Sequence, residues 1–133
     1  MKNTLKLFAI SIVLISNISF AQNNRIYDVN TFTEIKGEAS KVVEIVRSKG
    51  MSGGIHVILN TGKESLSVHL GPKWYLDKQS VQLKIGDKIE VKGSKVIIDG
   101  TQAIIAREII KDGNTLKLRD TNGKPFWSGK GRR

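Results

Sequence analysis

From Ile55 to Leu70 the side chains alternate between apolar and polar on either side of Gly62-Lys63. That pattern leaves few folds open. Ile55, Val57 and Leu59 share one parity before the centre. Leu66, Val68 and Leu70 share one after it. A period of two is a strand with one buried face, and two such strands around a short polar break make a β-hairpin. Gly62-Lys63 fits a two-residue type II′ turn, which takes glycine at its first central position. Thr61 then faces Glu64, Leu59 faces Leu66, Val57 faces Val68 and His56 faces His69. A one-residue slip would turn apolar side chains to opposite faces and is disfavoured. A two-residue slip would keep the faces and set the histidines diagonally, still as neighbours.

The rest of the chain repeats this grammar. Phe32 onward reads as a long first strand with Ile35, Gly37, Ala39, Val43 and Ile45 on one parity. Gly37 within it predicts a bulge or sharp coil. Ser48 to Gly54 is a glycine-rich loop. Gly71-Pro72 opens a short helix carrying Trp74, Tyr75 and Leu76, with proline at its first position, where a missing N–H is harmless. Leu83 to Asp87 turns into a strand through Ile89, Val91, Gly93, Val96 and Ile98. Asp99-Gly100 is a type I′ hairpin signal, with Ala103 to Ile110 as the partner strand. Asp112-Gly113-Asn114 and Asn122-Gly123 turn again, and Pro125-Phe126-Trp127 ends the folded part. The expected fold is all-β with one short helix: a five- to six-stranded, OB-like closed barrel. A glycine-bent first strand and a helix between strands three and four favour it over a β-sandwich or SH3-like barrel.

Residues 1–21 read as a secretory signal peptide. Lys2 and Lys6 precede an apolar run, and Ser19-Phe20-Ala21 ends it with small residues where a signal peptidase needs them. Cleavage is expected after Ala21. The run is short for a ~30 Å hydrocarbon core, so no stable membrane insertion is expected after cleavage. The product is expected to be periplasmic or secreted. The two lysines leave with the peptide, which takes the net charge from +10 to +8. Residues 22–31 read as a polar flexible arm, 32–127 as the barrel domain and 128–133 as a basic tail. The 133-residue chain has no cysteine, which excludes disulfides, thiolate zinc sites and CxxCH haem attachment. Burial alone must hold the domain together.

No G-x-S-x-G, H-E-x-x-H or P-loop pattern occurs, so an enzyme is not expected. The sharpest chemical feature is His56 beside His69, with Ser67 next to them. Two imidazoles a few Å apart cannot both be protonated cheaply. Neutral imidazoles offer lone pairs to copper, zinc or iron, and Met51 in the adjoining loop could add a soft ligand. The plainer reading is a pair of histidines bonded to serine hydroxyls on a solvated face. The second feature is basic charge. Lys49, Lys63 and Lys73, with Trp74 and Tyr75, are the cations and aromatics that single-stranded nucleic acid binding uses. Against that stands burial of both tryptophans, Trp74 and Trp127, as core.

Four strings carry a resemblance: His69-Leu70-Gly71-Pro72-Lys73-Trp74, Gly86 to Ser94, Ile105-Ala106-Arg107-Glu108-Ile109, and Leu118-Arg119-Asp120 with Gly123, Pro125 and Trp127. Over about Glu34 to Trp127 they resemble the small exported bacterial domain of the MamS/MamX magnetosome proteins, and Gly86 to Ile109 is similar to periplasmic OB-fold proteins. The resemblance implies an OB-like domain in the periplasm with envelope- or metal-related accessory work. Haem-carrying relatives use CxxCH, so haem chemistry does not carry over.

The expected function is thus a non-enzymatic periplasmic binding or accessory domain. Its candidate ligand-binding residues are His56, His69, Ser67, Lys63 and Trp74. Its candidate metal ligands are His56, His69 and Met51, for a transition metal. The expected partner is an envelope protein or a small ligand. The alternative is a nucleic-acid or polyanion binder.

Overall fold

The computed structural model describes residues 27–46 and 53–128. The expected signal peptide, most of the expected Ser48 to Gly54 loop and the residues after Ser128 lie outside the described residues. The elements are β1 (Phe32–Ile45), β2 (Gly54–Asn60), β3 (Ser65–Pro72), a one-turn helix α1 (Lys73–Leu76), β4 (Lys88–Ile98), β5 (Thr101–Lys111) and β6 (Asn114–Lys117). The fold is all-β with one short helix, as the alternation requires.

The strands run in the order β3-β2-β1-β4-β5-β6, and a further parallel pairing joins β3 to β5. Five strands therefore close a ring, with α1 between the third and fourth, which is the OB-like arrangement expected. Inside it pack Val57, Leu59, Val68, Val91, Ile104 and Ile109, all essentially without exposure. Burying each such side chain is worth about 1.5–3 kcal/mol.

The turns follow their residues. Thr61 N–H donates to the Glu64 carbonyl at 3.0 Å. Gly62 takes φ +94° while Lys63 stays negative, as a type II′ turn demands. The hairpin register pairs Leu59 with Leu66, Val57 with Val68 and His56 with His69. Asp99-Gly100 and Asp112-Gly113 both take φ values of 51° and 80°, the type I′ signature. The latter turn is two residues long, so Asn114 already belongs to β6.

β1 departs from its predicted parity. Its bulge lies between Ala39 and Lys41, not at Gly37. The extra residue there, Ser40, donates its hydroxyl to the Ile58 carbonyl at 3.1 Å. Past the bulge Val42 pairs with buried Val57 and Val43 pairs with His56. Val42 thus faces inward, and Val43 and Ile45 face outward. Gly37 serves close approach instead: a Cβ there would stand 2.6 Å from the Asn60 carbonyl oxygen. Pro72 also sits one residue earlier than expected, as the extended N-cap of α1 (ψ 144°).

The N-terminal residues Tyr27–Thr31 lie against the outer face of the β4–β5 hairpin. Asp28 N–H donates to the Ser94 hydroxyl at 3.0 Å, and Thr31 Oγ1 lies 2.8 Å from it. Tyr27 packs on Val96, Ile98, Ala103 and Ile105. Burial raises its phenol pKa, against the lowering pull of Arg107 and Arg119.

The parallel ladder between β3 and β5 ends at His69↔Ile105. On the same edge of β5, β6 begins pairing only at Glu108. Arg119 fills the gap. Its guanidinium donates to the carbonyls of Leu70, at 3.2 Å, and Ala106, the next residue on each strand. Its Cζ lies 5.0 Å from the Trp127 ring centroid. The backbone N–H groups of Leu118 and Arg119 both donate to the Arg107 carbonyl. Burial pulls the Arg119 pKa down to about 10, which leaves it charged at neutral pH. Arg107, by contrast, lies over Phe32 at 4.4 Å and pairs with Glu108.

Arg119→Met keeps the stem and removes the donors, leaving two carbonyls unsatisfied. We expect it to cost about 2–4 kcal/mol in urea unfolding. A second expectation concerns acid. Asp87 accepts from Lys84 N–H at 2.6 Å and pairs with Lys111 Nζ at 3.0 Å. These contacts, the backbone hydrogen bond first, hold its carboxyl below the usual range. A depressed native pKa gives stability that is full above the ordinary carboxylate pKa and fades as pH falls through the lowered one. Urea midpoints measured across that acid range should fall less steeply in Asp87→Asn than in the wild type.

Candidate functional site

Alternation along β2 and β3 sends Val57, Leu59, Leu66, Val68 and Leu70 inward, so His56, Ser67 and His69 stand on the outer face. Direct cross-strand pairing then brings the two imidazoles face to face. Their centroids are 3.7 Å apart and their planes 17° from parallel. Both rings are half-buried.

Neighbouring elements wall the pair in. The parallel ladder sets Ser67 beside Ala103 and His69 beside Ile105. The Asp99-Gly100 turn carries Ile98, Asp99, Thr101 and Gln102 to the same place. On the other side the Ser40 bulge has turned Ile45 outward. The result is a recess of about 320 Å³ lined by Ile45, His56, Ser67, His69, Ala103 and the β4–β5 turn. It offers imidazole nitrogens, two hydroxyls, an amide and a carboxylate between apolar walls. Such a mixture is what small-ligand sites use, with few polar groups fixing orientation.

The stack bears on metal chemistry. A metal about 2.0–2.1 Å from an imidazole nitrogen lies in that ring's plane. Two nearly parallel planes point their lone pairs side by side rather than at one point. Among the described residues no group of three or more His, Cys, Asp or Glu could hold a metal ion. A chelate here requires one ring to turn and a further ligand to arrive. Met51 lies outside the described residues, as does Lys49.

The remaining candidates stand elsewhere. Lys63 is exposed at the hairpin turn, on the order of 20 Å from His69 at about 3.3 Å per residue. Trp74 lies past the opposite end of β3, half-buried, edge-on to Tyr75 at 6.1 Å, with Lys78 Nζ 5.4 Å from its ring centroid. Lys73 pairs with Asp77 at 2.7 Å, and that hydrogen bond raises its pKa. Trp127, not Trp74, packs on the main core. The cations and aromatics are thus split between the two ends of the hairpin. Asp99, Thr101, Gln102 and Ile45 join the recess without having been singled out. The Asp99-Gly100 turn was legible, but its arrival beside the histidines depends on the parallel β3–β5 pairing, which no local pattern announces.

Two of the resembling strings meet in space. A Cβ on Gly71 would stand 2.6 Å from the Trp127 ring, and Tyr75 packs on Trp127 at 5.1 Å. The model of the MamS/MamX magnetosome protein family matches residues 31–116. The chain belongs to that family. The family match spans all five ring strands and the whole histidine recess, and ends at Leu116 in β6. The string from Leu118 to Trp127, which supplies Arg119, lies beyond it. No curated protein is matched by this chain.

Cross-strand pairs contribute roughly 0.2–1 kcal/mol, so His69→Ala should lower stability by no more than about 1 kcal/mol. It should also remove the ring-current shift that His69 imposes on the His56 proton signals. Unchanged His56 signals would show that the rings are not stacked in solution.

Proposed function

We propose that the chain is a non-enzymatic accessory domain of the cell envelope that holds a small ligand, or a side chain of an envelope partner, in the recess beside His56 and His69. One observation carries this reading. The only two histidines of the chain are brought together in an open recess on the outer face of the hairpin, where the core does not need them. Family membership supports an accessory role in magnetosome-type membrane systems. The N-terminal Lys2–Ala21 pattern supports export, with Gln22 as the first residue of the mature chain.

The recess can hydrogen-bond and can bury a small apolar group against Ile45 and Ile98. A transition metal enters this reading only if a ring turns and the incoming molecule supplies the missing ligands. In that case His56 and His69 hold the ion and the partner completes its sphere.

Native mass spectrometry of the full-length protein isolated from its own envelope fraction, beside His69→Ala, tests the proposal. An added mass on the wild type that disappears in the variant is expected. Bare protein in both samples, or the same added mass in both, overturns it. Titration with Cu(II) and Zn(II) then separates the chemistries: a melting-temperature rise confined to the wild type assigns a metal, and none assigns an organic ligand.

A further inference from the structure

A second space lies on the inner face of the sheet, and most of its lining side chains are aliphatic. Past the Ser40 bulge β1 leaves β4, because the β1–β4 pairing covers only Phe32 to Glu38. The ring is therefore open at that end. The segment from α1 to β4 crosses the opening but does not fill it. It is tied down from above: Tyr75 Oη donates to the Lys117 carbonyl at 3.2 Å, and Lys111 Nζ donates to the Gln82 carbonyl at 2.7 Å. Beneath it remains a space of about 200 Å³ walled by Val42, Ile55, Leu70, Leu76, Val81 and Leu116.

We propose that this space is a binding site for an uncharged aliphatic chain. Three observations carry the assignment. First, aliphatic side chains from β1, β2, β3, α1, the crossing segment and β6 make up most of the wall, with Asp77 and Gln82 at its edge. At about 200 Å³ it has room for a benzene-sized apolar group. Second, it has an entrance. Val42 is an exposed large hydrophobic residue, although the bulge points it inward at the wall. Third, the polar residues at the edge choose the head group. Asp77 and Gln82 line the space and are exposed, and Asp77 is paired with Lys73. That ion pair and the Gln82 amide give the edge hydrogen-bonding groups without a net charge, which suits a hydroxyl or ester head. The site is independent of the histidine recess, which lies on the outer face of the sheet.

The test uses n-octanol as the probe on methyl-labelled full-length protein. Octanol should shift the methyl signals of Ile55, Leu70 and Leu116 in a saturable way and raise the melting temperature. The histidine signals report a preserved fold and should not move. Val42→Phe fills the space from the β1 wall, and Val81→Phe fills it from the crossing segment. In whichever of these keeps the wild-type histidine signals, the octanol shifts should be lost. Uncharged phosphatidylcholine vesicles form the second arm. The same methyl shifts with vesicles place the chain's source in a bilayer. Shifts with octanol alone place it in a free small molecule. No saturable shift with octanol, or equal shifts in wild type and a folded filling variant, overturns the site.

Discussion

One guanidinium carries the closure of the ring past the point where its backbone ladder stops. β3 and β5 exchange hydrogen bonds over three residues each, and then their carbonyls have no strand opposite them. Arg119 donates to both of those carbonyls, and Trp127 lies against its face. A lysine could not span the two carbonyls with a planar fork of donors. The arrangement is costly in desolvation, as the lowered Arg119 pKa records, and it is offset by satisfying buried acceptors that no strand reaches. Gly71 belongs to the same device, since any side chain there would occupy the place of the indole.

A second constraint is a single extra residue in β1. Ser40 breaks the period of two, and everything after it changes face. Val43 and Ile45 turn outward, and Ile45 becomes a wall of the histidine recess. Val42 becomes a wall of the apolar space at the open end. The two candidate binding regions of this small fold therefore share one local cause. Bulges re-aim side chains near sites in this way, and here the same bulge re-aims them on both faces of the sheet.

Most of the fold was legible because tight turns leave little choice. Gly62-Lys63, Asp99-Gly100 and Asp112-Gly113 each fix a register, and from the first of these the His56–His69 pairing follows by counting. The β1 bulge was placed at Gly37, three residues early, because a glycine is visible in a sequence and a hydroxyl reaching a carbonyl across a strand is not. No local pattern places Arg119, for a related reason. Its position is decided by the two-residue length of the Asp112-Gly113 turn and by where a ladder some 50 residues upstream comes to an end. Of the recess, the histidines and Ser67 could be read from alternation. Their neighbours in the β4–β5 turn come from a parallel pairing, and such pairings leave no mark in either strand alone.

Sealing the ring from the carboxyl-terminal side also sets an order of events. β3 meets β5 across about 36 residues of chain, and the side chains that lock this meeting, Arg119 and Trp127, are made later still. Until they are made, the two carbonyls beyond the β3–β5 ladder lack the side-chain donors that satisfy them. Contacts this distant in sequence form slowly. The seam that closes the ring is therefore a slow step that the local turns cannot hasten.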